Sequence, residues 1–203
     1  MELIFKTADG RGLGAKNTVL LDICPFFVKT LAYNRIFDVY IETDSYQLQS
    51  SRSHYLNSFT HTAHNLEYKP NVYVHKSDWA NPLRLWLIGD LIHHIIQFNH
   101  NHNDSEFTGV LFDIQPCDLP ASKDDDLYFK NCIVQYMDTL EKEKCKIDTY
   151  NISHDKNFSL KIVMPRQLTR FFVEDAALIY ERLNKVVHQV IVVEYLDWEA
   201  EHE

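Results

Sequence analysis

The sequence predicts an α+β protein, on three observations. Short segments alternate apolar and polar residues with a period of two, as half-buried strands do. Longer segments keep apolar residues three and four apart, as core helices do. Two consecutive strand-like runs in the C-terminal half, Ile147 to Ser153 and Phe158 to Met164, are separated by Asp155-Lys156-Asn157 and read as a hairpin.

Taken in order, Leu3 to Thr7 alternates as a short strand, and Asp9-Gly10 turns it into a segment holding Gly10, Gly12 and Gly14. Lys16 follows, but Gly14-Ala15-Lys16-Asn17 lacks both the adjacent Gly-Lys and the hydroxyl of a phosphate-binding loop. Val19 to Leu31 reads as a helix, and Phe37 to Thr43 as a strand with Phe37, Val39 and Ile41 on one face. Tyr46 to Phe59 reads as a further helix, Thr60 to Lys69 as a polar loop and Asn71 to His75 as a short strand. Asn81-Pro82 is a helix start, with Asn as cap and Pro where its missing N–H costs nothing. The helix beyond it places Leu83, Leu87, Leu91 and Ile95 on one stripe.

Asn99 to Asp104 is polar and without apolar period, so it divides the chain into residues 1–103 and 104–203. The second half reads β-α-β-β-α: a strand from Thr108 to Ile114, a helix from Asp124-Asp125-Asp126 to about Lys144, the hairpin, and a last helix opened by Pro165 and continuing to Val190. No internal repeat is visible.

Composition bounds the function. The chain has 203 residues, 45% of them hydrophobic, which is ample for a packed core. The formal charge of -9 disfavours phosphate-backbone binding and favours basic protein partners over nucleic acid. Leu83 to Phe98 carries Arg84, Asp90, His93 and His94, too polar for a membrane span, and the charged first residues do not form a secretory leader. The expectation is an intracellular, soluble protein with no membrane association. Cys24, Cys117, Cys132 and Cys145 form no CxxC pair and read as reduced, buried thiols.

Eight of the eleven histidines lie between His54 and His102. His61 with His64 on a helix, and His100 with His102 on a strand, would suit zinc. No carboxylate or cysteine stands at ligand spacing with them, so a solvated surface bias is the simpler account and no metal is assigned. Asp38 or Asp44 with Glu67-Tyr68-Lys69 resembles a loose nuclease arrangement for Mg²⁺, but a Glu-x-Lys triplet is expected about once by chance in a chain this size and the acidic charge argues against a DNA substrate. No catalytic residue and no cofactor is assigned.

Four segments in order carry a resemblance. Leu3-Ile4-Phe5-Lys6-Thr7-Ala8-Asp9-Gly10, Leu20-Leu21-Asp22-Ile23-Cys24-Pro25-Phe26-Phe27, Phe37 to Leu48, and Leu83-Arg84-Leu85-Trp86-Leu87-Ile88-Gly89-Asp90-Leu91 are similar to the strand, Pro-aromatic helix, strand and late helix of BTB/POZ domains, the fold shared with elongin-C-like adaptors. The resemblance covers about the first hundred residues, with Cys24 in place of the family's usual Ser; it departs near Lys16, where the His that commonly precedes the Pro-aromatic helix is replaced, and between Ser50 and Lys76, which is longer and more polar. It implies a noncatalytic interaction module, adaptor or dimer, whose partner is a second copy or a cullin-like scaffold. The candidate partner-binding residues are Phe26, Phe27, Leu31 and Tyr33 with Tyr40 and Tyr46. Burial of these aromatics in the chain's own core is the competing account. Two other function classes stay open: an acidic inhibitor or immunity protein that blocks a basic site on a toxin or nuclease, and a metal-dependent hydrolase built on the histidine-rich region.

Overall fold

In the computed structural model, residues 3–5, 38–50, 53–114, 126–165 and 176–193 are described. Helix and strand are mixed, as the sequence predicts. The strands are β1 (Leu3–Phe5), β2 (Asp38–Glu42), β3 (Lys69–His75), β4 (Gly109–Asp113), β5 (Ser159–Pro165) and β6 (Gln189–Val193). They form one sheet in sequence order, and every neighbouring pair is parallel. The helices are α1 (Ser45–Gln49), α2 (Ser53–Asn65), α3 (Trp86–Asn101), α4 (Asp126–His154) and α5 (Ala176–Val186), with a 3₁₀ turn at Ser77–Ala80.

Alternation along each strand sorts the side chains between two faces. Val39, Val72, Val110, Phe112, Leu160 and Ile162 join the helices in the main core. Tyr40, Tyr73, Leu111 and Val163 form a separate buried cluster on the opposite face. Because both faces are covered, the parallel strands lose the alternation of a half-exposed sheet: all five residues of β4 are buried. The sheet runs through both halves of the sequence, since β3 and β4 pair across the Asn99–Asp104 tract.

Several expectations are corrected. Among the described residues the second half is β-α-β-α-β, and the expected hairpin does not form: Ile147 to Ser153 lies inside α4, and β5 pairs in parallel with β4 and β6. The buried stripe of α4 runs Phe129, Cys132, Ile133, Tyr136, Met137, Leu140 and on to Ile147 and Tyr150. Its period is carried through the charged run by Glu143, a buried carboxylate at a core position. A hydrophobicity count sees an end there; the helix does not. The expected single helix from Tyr46 to Phe59 is two helices, split where Ser50 takes an extended conformation and closes α1 by donating its N–H to the Tyr46 carbonyl.

The expected polar loop from Thr60 is helical to Asn65, with Thr60 buried because its hydroxyl donates to the Leu56 carbonyl one turn back. Asn81 caps a turn rather than a helix, accepting from the Leu83 N–H, and α3 begins only at Trp86. Leu83, expected in the core stripe, is 84% exposed. Val190 belongs to β6, not to the last helix. The expected helix over 19–31 and the glycine turn of 10–14 lie outside the described residues.

The Asn99–Asp104 tract closes α3 instead of breaking the chain, and it hides a repeated device. Asn99 is buried; its Nδ2 donates to the Phe107 carbonyl and its Oδ1 accepts the Phe107 N–H, both at 2.8 Å. Asn151, at the end of α4, makes the same two bonds to Phe158 at 3.0 and 2.9 Å. The next residue then joins the sheet edge in both cases: Thr108 N–H donates to the Pro70 carbonyl and Ser159 N–H to the Thr108 carbonyl. Phe98-Asn99 with Phe107-Thr108 and Tyr150-Asn151 with Phe158-Ser159 are therefore one βα-unit signature used twice, which the sequence reading missed because the intervening loops differ in length.

Candidate functional site

In a parallel sheet all strands finish at one edge, and the last residue of each strand is displayed together with its neighbours'. Here β3 ends in His75 and β4 in Asp113, and the register sets these two residues opposite each other. Residues 71, 73 and 75 alternate onto the face opposite the main helix-packed core, as do 109, 111 and 113. The consequence is a short hydrogen-bonded group. Tyr73 Oη donates to Asp113 Oδ2 at 2.6 Å, and His75 Nδ1 donates to the same oxygen at 2.9 Å.

Exposure is graded across this group. Tyr73 is 1% exposed and the Asp113 side chain 8%, whereas the His75 side chain is 41% exposed. Engagement of Nδ1 by the carboxylate fixes the neutral imidazole as the Nδ1–H tautomer and leaves Nε2 with its lone pair. The Tyr73 and His75 rings lie nearly parallel, 13° apart. From the other side, α4 brings Tyr136, a buried residue whose hydroxyl finds no hydrogen-bond partner among the described residues. Burial, with the Asp113 charge added, pushes its phenol far above the usual range, so it stays neutral.

Deeper on the same face lies a second polar group. Lys161 of β5 is buried; its Nζ lies 3.1 Å from Tyr40 Oη and 3.3 Å from Asp38 Oδ2 on β2, and 5.3 Å from the Tyr40 ring centroid. Asn71 Nδ2 donates to the other Asp38 oxygen at 3.2 Å. On a flat sheet β2 and β5 would stand about 14 Å apart, so this contact fits a face that is concave. Tyr73, Leu111 and Lys161 occupy one row across the sheet, linking this group to the one at the strand ends.

Of the sequence-derived partner residues, Phe26, Phe27, Leu31 and Tyr33 lie outside the described residues. Tyr40 is completely buried inside the sheet's own core, and Tyr46 stands 72% exposed on α1. The histidines weighed as zinc ligands are engaged elsewhere: His64 bonds the Glu106 carbonyl, His100 meets the His154 ring edge to face, and His102 lies tilted against the Phe98 ring. No group of three or more potential ligands is assembled among the described residues. Asp44 caps α1 in a capping box with Gln47, and Asp38 is engaged by Lys161 and Asn71.

Sequence reasoning missed Tyr73, His75 and Asp113 as a group. The usable signal was two strands each ending in a polar titratable residue, Asn71-Val72-Tyr73-Val74-His75 and Gly109-Val110-Leu111-Phe112-Asp113. It becomes a site only once the two strands are known to be parallel neighbours. No protein-family model matches the chain, and no curated protein or solved structure matches it either. Among the described residues no helix is long and apolar enough to cross a membrane.

Proposed function

We propose that the chain is an enzyme of the parallel β/α type, with its active site at the carboxyl ends of β3 and β4 and His75 as its general base. The observation that carries this reading is the buried Asp113 carboxylate, at the last residue of a central strand, holding the Nδ1 side of a half-exposed histidine. In sheets built of consecutive parallel βα units, as in β/α barrels, substrates bind where the strands end. His75 Nε2 takes a proton from water or a substrate hydroxyl, and Asp113 stabilises the imidazolium that forms. The oxygen so activated attacks the electrophilic carbon or phosphorus of the substrate, and the imidazolium returns the proton to the leaving-group atom as its bond to that centre breaks.

The test is turnover of a panel of chromogenic esters, phosphoesters and glycosides by the wild type, His75→Gln and Asp113→Asn. Turnover that falls about 10²- to 10⁴-fold in His75→Gln supports the reading. Turnover untouched by both variants overturns it, as does a wild type that turns over nothing and shows no ligand-induced NMR shift at His75 in a fragment screen.

A second reading is the noncatalytic interaction module. Its supports are the BTB/POZ-like order of segments in the first hundred residues, the acidic charge, and three exposed apolar side chains, Tyr46, Leu83 at 84% and Trp86 at 65%. A basic protein is the partner that charge favours, and an inhibitor role would use the same surface. Light scattering at micromolar concentration separates this reading from the first, because a strictly monomeric chain with turnover leaves it without support.

A further inference from the structure

We infer that Tyr73 is the positioning residue of the site: its buried hydroxyl anchors Asp113, and through Asp113 fixes the tautomer and orientation of His75. This rests on the reading of His75 and Asp113 as a working pair. The inference follows from how order is passed along the group. His75 is half exposed on the last residue of a strand, and among the described residues the bond at Nδ1 is the hydrogen bond that orients its ring, with the Tyr73 ring lying nearly parallel beside it. Asp113 is itself terminal on β4, and a carboxylate at a strand end is free to rotate unless something holds it.

Tyr73 supplies that hold. Its ring sits in the buried cluster with Tyr40, Leu111 and Val163, so its hydroxyl cannot move away. The 2.6 Å bond is short, as expected of a hydroxyl donating to a charged oxygen. Both donors meet at the single oxygen Oδ2, so the oxygen placed by Tyr73 is the one His75 uses. Among the described residues, Tyr73 and His75 of β3 bond Asp113 Oδ2, and the buried Tyr136 of α4 feels the Asp113 charge.

The experiment is long-range ¹H–¹⁵N NMR of the histidine rings in the full chain, which reads the tautomer directly, in the wild type, Tyr73→Phe and Asp113→Ala. The wild type is expected in the Nδ1–H form. Tyr73→Phe conserves the ring and its packing and removes the anchor; the ratio of Nδ1–H to Nε2–H at His75 should fall about three- to tenfold, the weight of one hydrogen bond. Asp113→Ala should abolish the preference. A preference that survives Tyr73→Phe unchanged, in a variant with wild-type melting temperature, overturns the role of Tyr73 and leaves the pair standing. A wild type without the Nδ1–H preference overturns the pair itself, and the proposed function with it.

Discussion

Asn99→Ala should be among the most damaging single changes to this chain, although it removes a polar residue from a tract that looks like a linker. The alanine leaves the Phe107 N–H and C=O without partners in a site where Asn99 is 1% exposed. Each abandoned buried group costs about 1–3 kcal/mol. With the small loss of side-chain packing added, the expected destabilisation is about 3–5 kcal/mol, or a fall in melting temperature of about 6–20 °C for a chain of this size. Asn151→Ala removes the matching bonds to Phe158 in a less buried setting and should cost about half as much. Asn99→Asp keeps the acceptor for the Phe107 N–H but sets a carboxylate oxygen against the Phe107 carbonyl, so it should be no better than alanine. Urea denaturation of the three variants against the wild type, at constant m-value, reads these differences. If Asn99→Ala costs under about 1 kcal/mol, or no more than Asn151→Ala, the clamp is not what seats β4.

Two further predictions concern stability. Gly109→Ala should destabilise by about 1–3 kcal/mol or more, because its methyl group would sit 2.6 Å from the backbone carbonyl of Ser159 and 2.7 Å from Asn71 Oδ1, and β4 and β5 would have to part; a near-neutral result in thermal denaturation would mean this approach of strands is looser than described. His188 accepts the Leu160 N–H at Nδ1, and burial first, then the Lys144 charge, lowers its pKa from the ordinary 6.5. The unfolded chain then binds the proton more readily, so this contribution is full above about pH 6.5 and fades as pH falls towards the folded value. Melting curves between pH 8 and pH 5 should therefore slope downwards on the acid side, and His188→Asn should flatten that slope; an unchanged slope would remove His188 from the account.

The sequence by itself determined where most strands lie: Phe37 to Thr43 and Phe158 to Met164 show the period of two that depends only on local geometry, and Thr108 to Ile114 is a short apolar run of strand length. It also determined that a wide-faced core helix fills the stretch up to Phe98. It could not determine how the strands pair. Parallel partners are separated by a whole helix, and nothing local marks Asp113 as the neighbour of His75; the false hairpin at Ile147 to Ser153 arose because a turn signal beside an apolar run looks alike whether the run is a strand or the last turns of a helix. Tertiary structure decided this by burying Glu143 within the stripe of α4 and so carrying the helix to His154. It also decided the site: Asp113 lies 40 residues from Tyr73 and 38 from His75 in sequence, across the β3–β4 step, and only the register that closes the ladder brings two donors onto one carboxylate oxygen.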